Sequence, residues 1–397
     1  MRTLIISDLH LGGNSATDVL RRADVREHLL AVAAQADRIV LLGDVLELRH
    51  GPMRLALAAA RPFFQALGAA IQGGEIVLVA GNHDHALIDP WLASRGQEHE
   101  PPPLGVEQLI APEQASEAYA RIAGWCAPAR VTVAYPGLWV RDDVCAMHGH
   151  FLDCHLTVPT LERLSVGAMS RVLGRHPSTF ASVGDYEAAG APVFAWRDAV
   201  ARASRTGNAL NGIATLNAWQ ALGGGSSRGG SSRGRGRGVR DALALRGLKR
   251  RARSTARRGA LLAGFPLAIA ALNRAGIGPL RATISRTELR RAGLSAMDEV
   301  AVRLGLSGSY VVFGHTHRTG PLPGDEHTEW TRASGVQLIN TGSWTYSAVF
   351  LTPTPGESPY WPGGCVAVGD SGPPEVLRLL CDQTHAQLMR PLSPADA

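Results

Sequence analysis

Residues 75–85 read EIVLVAGNHDH, an apolar run from Ile76 to Ala80 that turns abruptly into Gly81-Asn82-His83-Asp84. Five or six apolar residues followed by a polar cluster read as a buried strand delivering functional groups at its C-terminal end. The same reading applies to TLIISDLH (3–10), RIVLLGDVLEL (38–48), VCAMHGH (144–150) and SYVVFGHTH (309–317), with VQLINTGSW (336–344) following the last. Between the early strands, 16–35 and 52–72 carry apolar residues at helical spacing, so strands and helices alternate. That pattern predicts an α/β domain with a largely parallel central region and a ligand site at the carboxyl edges of its strands.

Composition sets the class. The chain has 397 residues, of which 45% are apolar and 19% charged, the balance of a folded protein with a sizeable core. Five cysteines without CxxC spacing argue against a disulfide framework. Residues 3–8 already read as a buried strand with no leader-like segment before them, so a cytoplasmic protein is the expectation. The longest apolar stretch, Ala260 to Leu272, is 13 residues and contains Gly264 and Pro266. A transmembrane helix needs about 20, so none is expected.

Charge is concentrated. Residues 223–258 hold eleven Arg and Lys249 against Asp241, a net +11 in a chain whose total is +6, which leaves the rest at −5. The segment opens as an Arg-Gly linker and continues toward the apolar stretch. Residues 223–272 therefore offer contact with an anionic membrane surface or with nucleic acid, beside the plainer reading of a solvated linker. The stretch 151–305 interrupts the strand pattern and reads as a mostly helical insertion or lid. The tail 384–397 reads as dispensable.

The strand-end clusters carry the chemistry. Asp8, His10, Asp44, Asn82, His148, His315 and His317 are nitrogen and oxygen donors without thiolate, a set that suits Mn²⁺ first, with Fe or Zn²⁺ as alternatives. Asp8/His10 and His315/His317 are spaced i, i+2, which puts each pair on one strand face. Seven such groups exceed one ion and fit two.

The ordered blocks D-x-H, G-D-x-x-E, G-N-H-D, an isolated His and G-H-x-H resemble the calcineurin-like metallophosphoesterase superfamily, over about 1–150 and 306–350. The resemblance implies a β-sandwich flanked by helices, the four-layer metallophosphoesterase fold, with core segments 1–150 and 306–383. It implies one metal on Asp8, His10 and His317, another on Asn82, His148 and His315, and Asp44 between them. It makes His83 the group that acts on the leaving oxygen, oriented by Glu47, with Asp84 as a lesser candidate. Asn340 would buttress the site. Arg318 and Asn14 are weaker substrate contacts. The N-terminal SDLHLG and the helical insertion before GHTH are similar to the UDP-2,3-diacylglucosamine hydrolase branch. The implied activity is metal-dependent hydrolysis of a phosphoester or pyrophosphate in a small or lipid-linked substrate. The alternative is a nucleic-acid or cyclic-nucleotide phosphodiesterase holding a polyanion on its Arg-Gly segment.

Overall fold

A computed structural model describes residues 1–13, 17–97, 99–203, 266–281, 285–348, 350–352, 354 and 356–392. Asn14, the Arg-Gly segment 223–258 and the end of the tail lie outside the described residues.

Among the described residues, twelve strands form two sheets. The first has the order β12-β11-β1-β2-β3-β5-β4. Here β1 is Thr3–Ile6, β2 Arg38–Leu42, β3 Glu75–Val79, β4 Leu109–Ile110, β5 Arg130–Ala134, β11 Gly364–Val368 and β12 Glu375–Arg378. The second has the order β6-β7-β8-β10-β9, with β6 Gly137–Arg141, β7 Val144–Met147, β8 Tyr310–Phe313, β9 Thr319–Gly320 and β10 Gln337–Thr341. In the first sheet β1, β2, β3 and β5 run parallel, as do β7, β8 and β10 in the second. The parallel centre expected from the sequence is therefore split between two sheets, and antiparallel strands close their edges.

The central strands are apolar on both faces because both faces are covered. Ile5, Val40, Leu42, Val77 and Val79 meet Val144, Ala146, Val312 and Ile339 between the sheets. Their neighbours Leu4, Ile6, Ile39, Leu41, Ile76 and Leu78 face outward onto helices. Those helices are α1 (Ala23–Ala33) and α2 (Met53–Ala70), which bury Val25, Leu29, Phe63, Phe64 and Leu67. The four layers are helix, sheet, sheet, helix.

The outer layer of the second sheet comes from the stretch read as an insertion. It contains α3 (Leu161–Val172), α4 (Val183–Ala203) and α5 (Arg286–Arg303). Met297, Val300 and Ala301 of α5 pack with Phe313, Val311 and Leu338 under that sheet. So α5 is a wall of the core, and 151–305 is more than a lid. The start of the tail is likewise docked. Leu388 is buried, and the Tyr346 hydroxyl hydrogen-bonds His385 at 2.7 Å. No helix among the described residues is long and apolar enough to cross a membrane.

His85 ties α4 to the core. Its Nε2 lies 2.8 Å from Glu187 and its Nδ1 2.8 Å from Asp89, and the Tyr135 hydroxyl also donates to Glu187. Burial lowers the His85 pKa, but Glu187 and Asp89 outweigh it and raise the value to about 10. A raised folded-state pKa contributes stability that is complete below the unfolded value near 6.5 and fades as pH rises through about 10. The stability advantage of wild type over His85→Gln should therefore shrink between pH 7 and pH 10. Denaturant melts of both proteins at three pH values test this, and an advantage that grows with pH would contradict it.

Candidate metal centre

The parallel strands β1, β2, β3, β7 and β8 each end one to three residues before a polar side chain of the site. From β1 the chain leaves into Asp8 and His10, from β2 into Asp44 and from β3 into Asn82. From β7 it leaves into His148, and from β8 into His315 and His317. Because the two sheets face each other, these carboxyl edges meet at one place. Backbone hydrogen bonds hold them there: Asp8 N to Gly43 O at 3.1 Å, His10 N to Asp44 O at 2.9 Å and Gly314 N to His148 O at 3.0 Å.

The backbone is forced at these positions. Asp8, His10, Asp44, His315 and His317 have φ of 53°, 48°, 50°, 64° and 58°, in the left-handed region that non-glycine residues avoid. Such conformations cost of order 1 kcal/mol or more each and cluster at functional sites. Two glycines permit the close approach. A Cβ on Gly81 would lie 2.2 Å from Asp44 Oδ1, and one on Gly314 would lie 2.4 Å from Asp8 Oδ2.

The side-chain atoms converge in two connected groups. Asp8 Oδ1 is 3.2 Å from His317 Nε2 and 4.0 Å from His10 Nε2, and the two imidazoles approach to 3.2 Å. Asp44 Oδ2 is 3.4 Å from His148 Nε2 and 3.8 Å from His10 Nε2. Asn82 Oδ1 lies 3.2 Å from His148 Nε2 and 3.1 Å from His315 Nδ1. Asp8/His10/His317, Asp44/His148/His315 and His10/Asp44/His83 each bring three ligand atoms within 4.8 Å of one another. Asp44 and His10 link these groups.

The donor set fits divalent cations on the structure's own terms. Asp8 Oδ1 is buried and, beyond His317 Nε2 at 3.2 Å, has no hydrogen-bond partner among the described residues. Asn82 Oδ1 faces two imidazole nitrogens and a carboxylate oxygen, four donor atoms that a cation between them would meet with lone pairs. Lone pairs aimed at each other in a buried place are the arrangement a cation resolves.

The far nitrogens of the imidazoles are fixed. His10 Nδ1 is 3.0 Å from Glu47, His148 Nδ1 is 2.9 Å from Leu42 O, and His315 Nε2 is 3.0 Å from Asp153. Such outer contacts set the ring orientation of metal-binding histidines. Glu47 also meets His83 Nδ1 at 2.9 Å, while His83 Nε2 lies 3.9 Å from Asp44 Oδ2; His83 is among the residues lining an adjoining cavity.

Electrostatics follow from this crowding. Burial pushes Asp8 up, but His317 outweighs it and the carboxyl is lowered to about 2. Burial is likewise overcome for Asp44 by His148 and His83, and for Glu47 by His83 and His10, so both sit well below the usual carboxylate range. Against their burial, His10 is raised to about 9 by Glu47 and Asp44, and His148 to about 9 by Asp44. His83 goes the other way, lowered to about 4 by burial and then by the Arg49 guanidinium.

The remaining sequence candidates have separate places. Asp84 accepts from the amides of Gly81, Val45 and Leu46 at 2.7, 2.7 and 3.2 Å, so it ties the β2 and β3 loops together and does not orient His83. Asn340 donates to Gly314 O and to the Thr316 hydroxyl, both at 2.9 Å, and braces the GHTH loop. Arg318 is engaged by Asp325 at 2.9 Å and lies over the Trp330 ring, so its salt bridge is internal to the protein. His150 is buried beside His148 with neither ring nitrogen hydrogen-bonded among the described residues, and His155 bonds the Tyr186 hydroxyl at 2.8 Å.

Sequence reasoning missed Asp153 and Arg49. Asp153 sits in a short turn five residues after His148, and Arg49 donates to Asn82 O at 2.6 Å from two residues beyond Glu47. Their proximity to the motifs was the only available signal.

Residues 1–186 match the family model for calcineurin-like phosphoesterase. No curated protein matches the chain. The family match supports the metallophosphoesterase superfamily and a hydrolase acting on phosphoester bonds, and the two sheets flanked by helices agree with that fold. His315 and His317 lie beyond the matched span, and the fold brings them to the same centre as Asp8 and Asn82.

Gly81→Ala tests the packing of this centre. The added methyl must displace Asp44, and overpacking of this kind costs about 1–3 kcal/mol. We expect a lower melting temperature and loss of the rise in melting temperature that Mn²⁺ produces in wild type. An unchanged Mn²⁺ response would show that Asp44 need not stay where it is.

Proposed function

We propose that this chain is a dinuclear metal-dependent phosphoesterase. Asp8, His10 and His317 would hold one divalent ion, Asn82, His148 and His315 the other, with Asp44 shared. Mn²⁺ is the proposed metal, with Fe or Zn²⁺ as alternatives. The observation that carries this reading is the convergence of these seven side chains from five strand ends, with His317 Nε2 only 3.2 Å from Asp8 Oδ1. A pair of divalent cations so held supplies Lewis-acid activation of water and neutralises phosphate charge.

The chain's own residues do the rest. Glu47 fixes the His83 ring through Nδ1, which leaves Nε2 to carry a proton or a hydrogen bond to the leaving oxygen. A bound phosphate brings negative charge beside His83, which favours its protonated form. Leu42 O, Asp153 and Glu47 hold the imidazoles in place.

The adjoining cavity, about 340 Å³, is walled by Leu152, Leu156, Leu289, Leu294, Phe313 and Trp330. An apolar wall beside a phosphate-directed centre favours an ester with an apolar part, small or lipid-linked, as in the UDP-diacylglucosamine hydrolase-like reading. We place the catalytic core in 1–150 and 306–383 together with α5.

Asp44→Asn and His83→Ala should each lower kcat on an aryl phosphodiester by at least about a hundredfold while circular dichroism stays unchanged. Retained activity in both would refute the site. A chelator should abolish wild-type hydrolysis and added Mn²⁺ should restore it. Hydrolysis that survives exhaustive chelation would remove the metals from the account.

A further inference from the structure

A cavity of about 660 Å³ lies beside the one at the metal centre, lined by α3, α5 and the loops around 155–157, 176–178 and 278–281. The two cavities share the stretch 152–157 as a wall. Leu152, Asp153 and Leu156 line the cavity at the centre, whereas Cys154, His155 and Thr157 line this one. None of the seven candidate metal ligands is among its lining residues.

The lining is basic. Arg163, Arg281, Arg291, Arg303 and Arg332 stand against three acids, Glu288, Glu299 and Glu329. Four of these arginines have carboxylate partners. Arg281 meets Glu288 at 2.9 Å, Arg291 meets Glu329 at 2.7 Å, Arg303 meets Glu299 at 2.5 Å and Arg332 meets Asp298 at 3.3 Å. Arg163 has no such partner among the described residues, although it is only 1% exposed. Its Nε donates to Leu156 O at 2.7 Å, and its Nη1 has no hydrogen-bond partner there. A Cβ on Gly167, one turn along α3, would lie 2.6 Å from that Nη1, so the glycine leaves the room in which the guanidinium sits.

A buried cation without a counter-ion is costly unless an anion completes it. The stretch 204–265 has Asp241 as its single acid, so its sequence offers cations rather than the missing anion. An anion from outside the chain fits the place. The planar fork of a guanidinium matches phosphate oxygens. Thr157, Ser178, Ser295 and Thr328 add hydroxyls to the lining, and its three glutamates can accept from a hydroxylated body. The volume lies within the range of pockets that take small organic ligands.

We propose that this cavity is a second ligand site, separate from the metal centre, for a small hydroxylated phosphate monoester such as a nucleoside monophosphate or a sugar phosphate. Arg163 binds the phosphate, and Arg281 adds positive charge at the more open part of the lining. The proposal does not rest on the phosphoesterase reading.

The test is calorimetric titration of adenosine 5′-monophosphate into the full-length, Mn²⁺-loaded Asp44→Asn protein, a parent chosen so that the probe is not consumed. Adding Arg163→Gln should weaken binding at least about tenfold, the scale of a lost charge-assisted hydrogen bond. Adding Arg281→Glu, at a side chain 67% exposed, should weaken it at least about threefold by reversing a charge. In the otherwise wild-type enzyme, Arg163→Gln should leave KM and kcat for bis(p-nitrophenyl) phosphate within about twofold of their starting values. A parent dissociation constant above about 1 mM overturns the proposal. So does undiminished binding in folded Arg163→Gln, and where that variant does not fold, undiminished binding in Arg281→Glu decides in the same sense. A diester KM that rises in step with the lost nucleotide affinity would make the cavity part of the substrate site and overturn its separateness. If wild type cleaves no diester, the phosphoesterase reading falls and the titrations still decide this site.

Discussion

Two aspartates, an asparagine and four imidazoles are packed at the meeting point of two sheet edges, with lone pairs facing one another. Left alone this arrangement is unfavourable. Carboxylates are buried, and two ring nitrogens approach to 3.2 Å of each other. The sandwich behind the site supplies the rigidity that holds such groups together. Five non-glycine residues in left-handed conformation are the visible sign of that constraint. A pair of divalent cations would convert the mutual repulsion into ligation, so metal affinity and folding are coupled at this centre.

Much of this was legible in the sequence. Apolar runs that end in Asp, Asn or His identify both the strand and its delivered group, because a strand buried on both faces has no other place for a charge. The helices α1 and α2 follow from their periodicity. The division of the strands into two sheets was carried by the family resemblance, since a parallel run from β1 to β10 reads equally well as one sheet. What separates the two is the antiparallel β6–β7 hairpin, whose turn Asp142-Asp143 carries no strong signal.

Partnerships across long separations were not legible. Asp153 meets His315 from 162 positions away, and Arg197 meets Glu162 through the packing of α3 on α4. Spacing rules describe one strand or one helix face and say nothing of such encounters. Arg318 shows the converse. Its position after the GHTH block invited a phosphate contact, yet Asp325 lies close enough to take it. The stretch 151–305 looked separable because it breaks the strand pattern, and α5 proves to cover the second sheet because that sheet needs an apolar lid on its outer face.

Function divides along the same line. The candidate metal ligands sit at strand ends, whereas much of the apolar wall of the adjoining cavity, Leu152, Leu156, Leu289 and Leu294, comes from the interrupting stretch. The measurement that bears most directly on the central claim is metal stoichiometry. Protein purified with Mn²⁺ and freed of excess should carry about two equivalents per chain by elemental analysis, and Asp44→Asn should carry about one or fewer. Wild type that retains less than one equivalent, or an Asp44→Asn protein that retains the full complement, would contradict a shared pair of ions at this centre.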